Sequence, residues 1–324
     1  MLLLGVSSVA LGACTASLPT NVALTWGGSA QSGKPTEILT IAVPEGEEWP
    51  LAALEALSGT SGLGYRQVVV NASLLDEVVD GSPLESVDVL VGSDPLWLEV
   101  SGVADVLGAG EVRAADDVDL VTYGQDAACV LVNRSWFSAN NVAMPDNLES
   151  LSVEQKERVA AVSDPLTSPS ALALLPLWVG DWEVFEGPAG SADEASQSGT
   201  QSGQIGPNEG AATSPGVVGS ALEPLRHPNN LGTDTQFKVL PDTCVGREVG
   251  AVMVTREPER AGHVEGFLDL LLSPQGQRII AEHALAYPLD TSIAVQGAVP
   301  WTDVAPAYAP EQVLEGLRKW SDTF

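Results

Sequence analysis

From residue 38 onward, short and almost unbroken apolar runs alternate with amphipathic stretches. ILTIAV (38–43), RQVVV (66–70) and VDVLVG (87–92) read as strands; LAALEAL (51–57) and SLLDEVVD (73–80) between them read as helices. A strand that is apolar at nearly every position has to be covered on both faces, the condition met by parallel strands with crossover helices. The expected fold class is α/β.

Two extended runs break this rhythm. VDLVTYGQDAACVLVN (118–133) is too long for one ordinary strand, and DTCVGREVGAVMV (242–254) is a second of the same kind. Both suit segments that cross between two domains, and 324 residues suffice for about two. Ser152 and Gln155 have the spacing of a capping box, and VAAVSDP (159–165) reads as a strand entering a turn. Ser168-Pro169 opens an apolar helix kinked at Pro176, and helices are expected over 262–272, 275–287 and 311–320. The small, polar tract 187–216 has too little to bury and is expected to be a disordered surface loop.

Charge narrows the partners. Asp and Glu number 43 against 14 Lys and Arg, a formal net charge of −29, which repels phosphate backbones and argues against nucleic acid. Residues 2–13 (LLLGVSSVALGA) are uncharged and mostly apolar, too short for a membrane span and suited to the h-region of a signal peptide. They end in Leu11-Gly12-Ala13-Cys14, which resembles a bacterial lipobox with Cys14 as the lipidated residue. The alternative is a buried N-terminal strand or helix. On the first reading, residues 1–13 are removed and 14–36 form a tether to the outer face of the membrane. Cys129 and Cys244 then remain as an even pair in an oxidising compartment, either a disulfide or two buried thiols.

Catalytic signals are sparse. Three histidines are present, and no nucleophile elbow, phosphate loop, dinucleotide fingerprint or zinc spacing occurs, so neither an enzyme, a metal nor a cofactor is expected. The loops at strand C-termini carry more information, because ligands of doubly wound sheets bind there. They contain Glu45 and Glu47, Ser93 and Asp94, Thr167 and Ser168, and Ser220. The carboxylates suit a positive charge, the hydroxyls and helix starts suit polar or anionic groups, and Tyr123 is a candidate for stacking. Each loop taken singly is also ordinary turn chemistry.

Together, the lipobox, the α/β lobe, the crossing and return runs and FLDLLLSPQGQRIIAEHALAYPLD (267–290) resemble the extracellular solute-binding proteins of ABC importers. TYGQDAACVLVNRSWF (122–137), MPDNLESL (144–151), VSDPLTSPSALALL (162–175) and VLPDTCVGREVGAV (239–252) are similar to the thiamine-type branch, beside the iron-type one. The resemblance implies a two-lobe periplasmic-binding-protein fold (type II-like) with hinge strands and a cleft between lobes. Lobe one is expected at 37–122 plus 250–324, and lobe two at 123–249. It further implies a monomer without catalysis, anchored by lipid outside the cytoplasm. Such a protein delivers a small polar, thiamine-like ligand to an ABC permease by closing about its hinge. A surface lipoprotein that has lost transport binding and serves in sensing is the alternative.

Overall fold

The computed structural model describes residues 25–27, 37–70, 87–102, 120–161, 164–180, 214–226, 237–255 and 258–323. The first part of the chain forms β1 (Thr25–Gly27), β2 (Ile38–Pro44), α1 (Leu51–Ser61), β3 (Gly64–Val70), β4 (Val89–Ser93) and α2 (Pro95–Ser101). Next come β5 (Leu120–Asn133), α3 (Arg134–Ala139), α4 (Val153–Ala161), α5 (Pro169–Gly180), β6 (Gly216–Ser220) and α6 (Glu223–Arg226). The remainder is β7 (Phe237–Met253), α7 (Pro258–Leu272), α8 (Pro274–Glu282), β8 (Tyr287–Pro288) and α9 (Pro310–Thr323). The signal segment, Cys14, the helix expected at 73–80 and most of the 187–216 tract lie outside the described residues.

All strands share one sheet in the order β1-β3-β2-β4-β7-β5-β6, with β8 attached to β5. Strands β2, β3 and β4 are mutually parallel, as their apolar sequences require. The rest is antiparallel, so the sheet is mixed. Each long run is one continuous strand, 14 residues in β5 and 17 in β7. They pair with each other from Leu120↔Val252 to Asn133↔Phe237. At one end of this ribbon β7 pairs with β4; at the other β5 pairs with β6. The two groups of strands therefore hang from opposite ends of one two-stranded connection.

Each end carries apolar layers on both faces. Leu39, Ile41 and Val43 of β2 pack with Leu54 and Leu57 of α1 and Phe267 of α7, while Ala42 and Leu90 face Trp97 on the other side. Along β5 the alternation is regular: Ala128, Val130 and Val132 face Phe137 and Trp178, and Ala127, Cys129 and Leu131 face Leu222 and Tyr287. Burying such side chains stabilises by roughly 1.5–3 kcal/mol each. Cys129 and Cys244 lie in the second layer and are disulfide-bonded, with Cα atoms 4.3 Å apart.

Local signals explain the helix starts that set the loops. Asp94 caps α2, accepting from the Trp97 N–H at 2.9 Å, with Pro95 next to it. Ser273 caps α8 in the same way through Gly276 N–H at 3.0 Å. The Ser152/Gln155 box is reciprocal, at 2.9 and 3.3 Å, and opens α4.

Several expectations are corrected. Val159 to Ala161 lie in helix α4, because a short apolar run does not by itself distinguish strand from buried helix face. Within the segment read as tether, Thr25–Gly27 adds antiparallel to the edge of β3. At the end of the 187–216 tract, Ser214 is buried and donates to the Gly216 carbonyl at 2.7 Å, so the last residues belong to the folded part. Of the segment 250–324 expected in lobe one, the end of β7 pairs with β4, and α7 and α8 pack beside β2 and α1. Beyond Tyr287 the chain moves to the other end of the sheet, where Ala305 bridges to Val245 and Trp301 packs in the Cys129–Cys244 layer. Helix α9 then packs on α5, with Gly316 so close to Leu175 that a Cβ there would meet its Cβ at 2.8 Å.

Candidate functional site

Where the two strand groups meet, the loop after β2 reaches into the opposite group. Glu47 sits on this loop and is 3% exposed. Its carboxylate accepts from Arg226 Nη1 at 3.0 Å, from Ser170 Oγ at 2.8 Å and from Arg247 Nη2. Those partners come from α6, the first turn of α5 and the middle of β7. They lie 179, 123 and 200 residues away in the chain.

The arginines are themselves held. Arg226 Nε and Nη2 donate to the Ala284 and Leu285 carbonyls at 2.8 and 2.9 Å, and Nη2 also reaches Ser220 Oγ at 3.2 Å. Arg247 donates to Asp126 Oδ2 at 2.9 Å and to the Gly92 carbonyl at 3.1 Å. Asp126 in turn accepts from Ser220 Oγ at 2.7 Å and from the Ala127 N–H at 2.8 Å. Burial disfavours a charged Arg226, but Glu47, Asp126 and Glu223 more than offset it and raise its pKa. Both guanidinium groups stay charged.

Gly92 makes this approach possible. It has φ +80°, at an irregularity in the β4–β7 pairing, and an added Cβ would lie 3.2 Å from Pro44 Cδ and 3.4 Å from Glu47 Cβ. A side chain there would push the Glu47 loop away and strain the backbone.

Around the central cluster the carboxyls outnumber the cations. Burial, with Glu48 and Asp164 nearby, raises Glu45 to about 7 although Thr167 hydrogen-bonds it. Burial raises Glu223 to about 8 despite Arg226 at 3.9 Å. Glu48 and Asp94 are also raised, burial again being the main cause. These groups resist ionisation chiefly because burial takes them out of water.

The residues expected to contact a ligand are brought to this junction in part. Glu47 and Ser220 are at its centre, with Glu45 and Thr167 beside each other on one flank. Ser93 is fully buried and its hydroxyl reaches the Gly250 carbonyl at 3.5 Å. Asp94 and Ser168 act as helix caps, the latter accepting from Ala171 N–H at 3.3 Å. Tyr123 offers no open stacking face: it is fully buried, edge-on to Trp49 with ring centroids 6.1 Å apart. Sequence reasoning missed Arg226, Arg247, Asp126 and Ser170. The usable signal was a charged residue inside an apolar strand, QDAACVLV for Asp126 and CVGREVGAV for Arg247, in a chain with only 14 basic residues.

No protein-family model and no curated protein matches the sequence. Solved structures do match over nearly the whole chain. A periplasmic thiamin-binding protein is similar with a TM-score of 0.50 at 17% identity, covering 91% of this chain and 99% of that one. The sulfate-binding protein SubI from Mycobacterium tuberculosis gives 0.52 at 14% identity, covering 89% and 99%. The periplasmic binding protein AfuA from Actinobacillus pleuropneumoniae, with fructose-6-phosphate bound, gives 0.54 at 14% identity, covering 89% and 98%. The chain has the two-lobe fold of the periplasmic binding proteins. β5 and β7 are the continuous strands that join the two strand groups, and the Glu47 cluster sits where those groups meet. Among the described residues no helix is long and apolar enough to cross a membrane, and no group of three or more His, Cys, Asp or Glu could hold a metal ion.

Proposed function

We propose that the chain is a solute-binding protein of an ABC importer, anchored outside the cytoplasm through a lipid on Cys14. It is a binding protein and not an enzyme. Lobe one comprises 37–122 with 250–286, and lobe two 123–249 with 287–324. Its ligand is a small polar organic molecule carrying a cation, of the thiamine type. The observation that carries this reading is the charged junction itself. Loops and strands from both lobes converge on it, and its carboxyls exceed its guanidinium groups. Ligand contacts from both sides would stabilise the closed arrangement, which a permease reads.

Of the two carboxylates expected to meet a cation, Glu47 is engaged by both arginines. Glu45, flanked by Glu48 and Asp164, is the better partner. Thr167 and Ser220 supply hydroxyls. Calorimetric titration with thiamine, its phosphates, simple amines and inorganic oxyanions tests this. Thiamine compounds should bind and raise the melting temperature. An absence of heat and of thermal shift across the whole panel overturns the importer assignment. It would favour a lipoprotein of the same fold without transport binding, a reading supported by the engagement of both arginines by the protein's own carboxylates. The anchor has its own test: Cys14→Ala should release the protein from membranes, and a membrane-bound, correctly sized variant refutes lipidation.

A further inference from the structure

The Glu47 carboxylate is in the position of a ligand. It is carried on a loop of lobe one, yet its acceptors are filled by two guanidinium groups and a hydroxyl that belong to lobe two and the lobe connection. Those donors are held independently of Glu47. Arg226 is fixed by two backbone carbonyls, and Arg247 by Asp126 and the Gly92 carbonyl. Ser170 is in the first turn of the 12-residue helix α5, whose N-terminal end favours negative charge. The Arg247 guanidinium, 6% exposed as a residue, also keeps Nε without a partner among the described residues. Planar, forked donors of this kind suit an oxygen-bearing anion.

We propose that Arg226, Arg247 and Ser170 form an oxyanion subsite, for a carboxylate or phosphate group of the ligand, that Glu47 fills when no ligand is present. The charges support exchange. Both guanidinium groups contact Glu47, with Asp126 on Arg247 and Glu223 3.9 Å from Arg226, so withdrawal of Glu47 removes one negative charge that an incoming anion replaces. Glu47 is thereby both a placeholder and a latch: it ties the lobes together in the empty protein, and a ligand must outcompete a tethered carboxylate. Weak single anions are rejected. A ligand that also places a cation beside Glu45 gains from both ends. This rests on the reading of the lobe junction as a solute site, and it narrows the ligand to a zwitterionic or phosphorylated molecule.

Glu47→Gln in the full chain keeps the shape of the side chain and removes the competing charge. With inorganic phosphate or sulfate as the probe, this variant should bind at least tenfold more tightly than the wild type by calorimetry, with a larger rise in melting temperature. X-ray scattering should show it more open without anion and compact with it. Glu47→Asp keeps the charge but is one methylene shorter, and should give an intermediate affinity; it serves if the Gln variant fails to fold. Adding Arg247→Gln to either variant should abolish the gain. Equal responses of wild type and both Glu47 variants to phosphate and sulfate would overturn the proposal. Failure of thiamine compounds to bind the wild type would count against the thiamine-type ligand only, and silence across the whole panel against the importer reading, because the oxyanion comparison between variants needs no natural ligand.

Discussion

The two sides of the lobe junction are built by opposite means. Lobe one contributes loops after parallel strands: Pro44 to Glu48 after β2, and Asp94 capping α2 after β4. Apart from the buried Glu47, their carboxyl side chains are partly exposed or caught by local backbone donors. The other side contributes charges set inside regular structure, Asp126 in β5 and Arg247 in β7, both buried in largely apolar strands. A loop carboxyl can find water or a nearby N–H. A strand-borne charge cannot, and is tolerated only if its counter-charge arrives from elsewhere in the chain. The first side should therefore adjust to substitution and pH, and the second should fail when one member is removed.

The largest effect is expected on the strand-borne side. Arg247→Met leaves Glu47 and Asp126 buried without their shared partner and should cost about 3–5 kcal/mol, read by denaturant unfolding. A loss below 1 kcal/mol would show that the junction is wet and the contrast false. Next comes the double variant Cys129→Ala, Cys244→Ala, which removes the staple within the second lobe. It should cost about 2–4 kcal/mol, with the same shift on reduction of the wild type; unchanged unfolding on reduction would contradict it.

The carboxyls around the junction, Glu45 on the loop after β2 and Glu223 at the start of α6, should respond to pH with modest size and a definite sign. Glu45 and Glu223 have folded-state pKa values of about 7 and about 8, above the ordinary value of 4.5. Between 4.5 and those values the folded protein retains protons that the unfolded chain has lost, so stability falls as pH rises. The melting temperature of the empty protein should thus drop between pH 5 and pH 8, by roughly 2–4 °C for each kcal/mol lost. A cation drawn to these carboxyls should bind more tightly at pH 8 than at pH 6 and release protons, seen as calorimetric heats that vary with buffer ionisation enthalpy. The smallest effect is that of Glu45→Gln. It should flatten part of this pH slope and raise the melting temperature slightly at pH 8; an unchanged slope would show that Glu45 is freely solvated.

The same contrast explains what could be read from the chain alone. The parallel core was legible because β2, β3 and β4 are apolar at nearly every position, and Ser273-Pro274 announces a helix start within two residues. Glu45, Glu47, Thr167 and Ser220 could be singled out because they follow strands, where such sheets place their loops, and the structure brings them to one junction. Arg226 and Arg247 could not, because what marks them is their meeting with Glu47, 179 and 200 residues away. The path beyond Tyr287 was hidden for a similar reason. The Ala305 bridge to Val245 and the packing of α9 on α5 depend on contacts with no local pattern. Tyr123 misled because an aromatic in a crossing strand looks alike whether it faces a cleft or the side of Trp49.

The Cys129–Cys244 bond has a consequence for the chain as a thread. The two cysteines are 115 positions apart and enclose the chain from α3 through α6, including the tract from 187 to 213. A peptide bond cut anywhere inside that closed ring linearises it without dividing the molecule. One band should remain on a non-reducing gel and two appear on a reducing one, so a chain nicked within that ring keeps Glu47, Asp126 and Arg247 on a single covalent body.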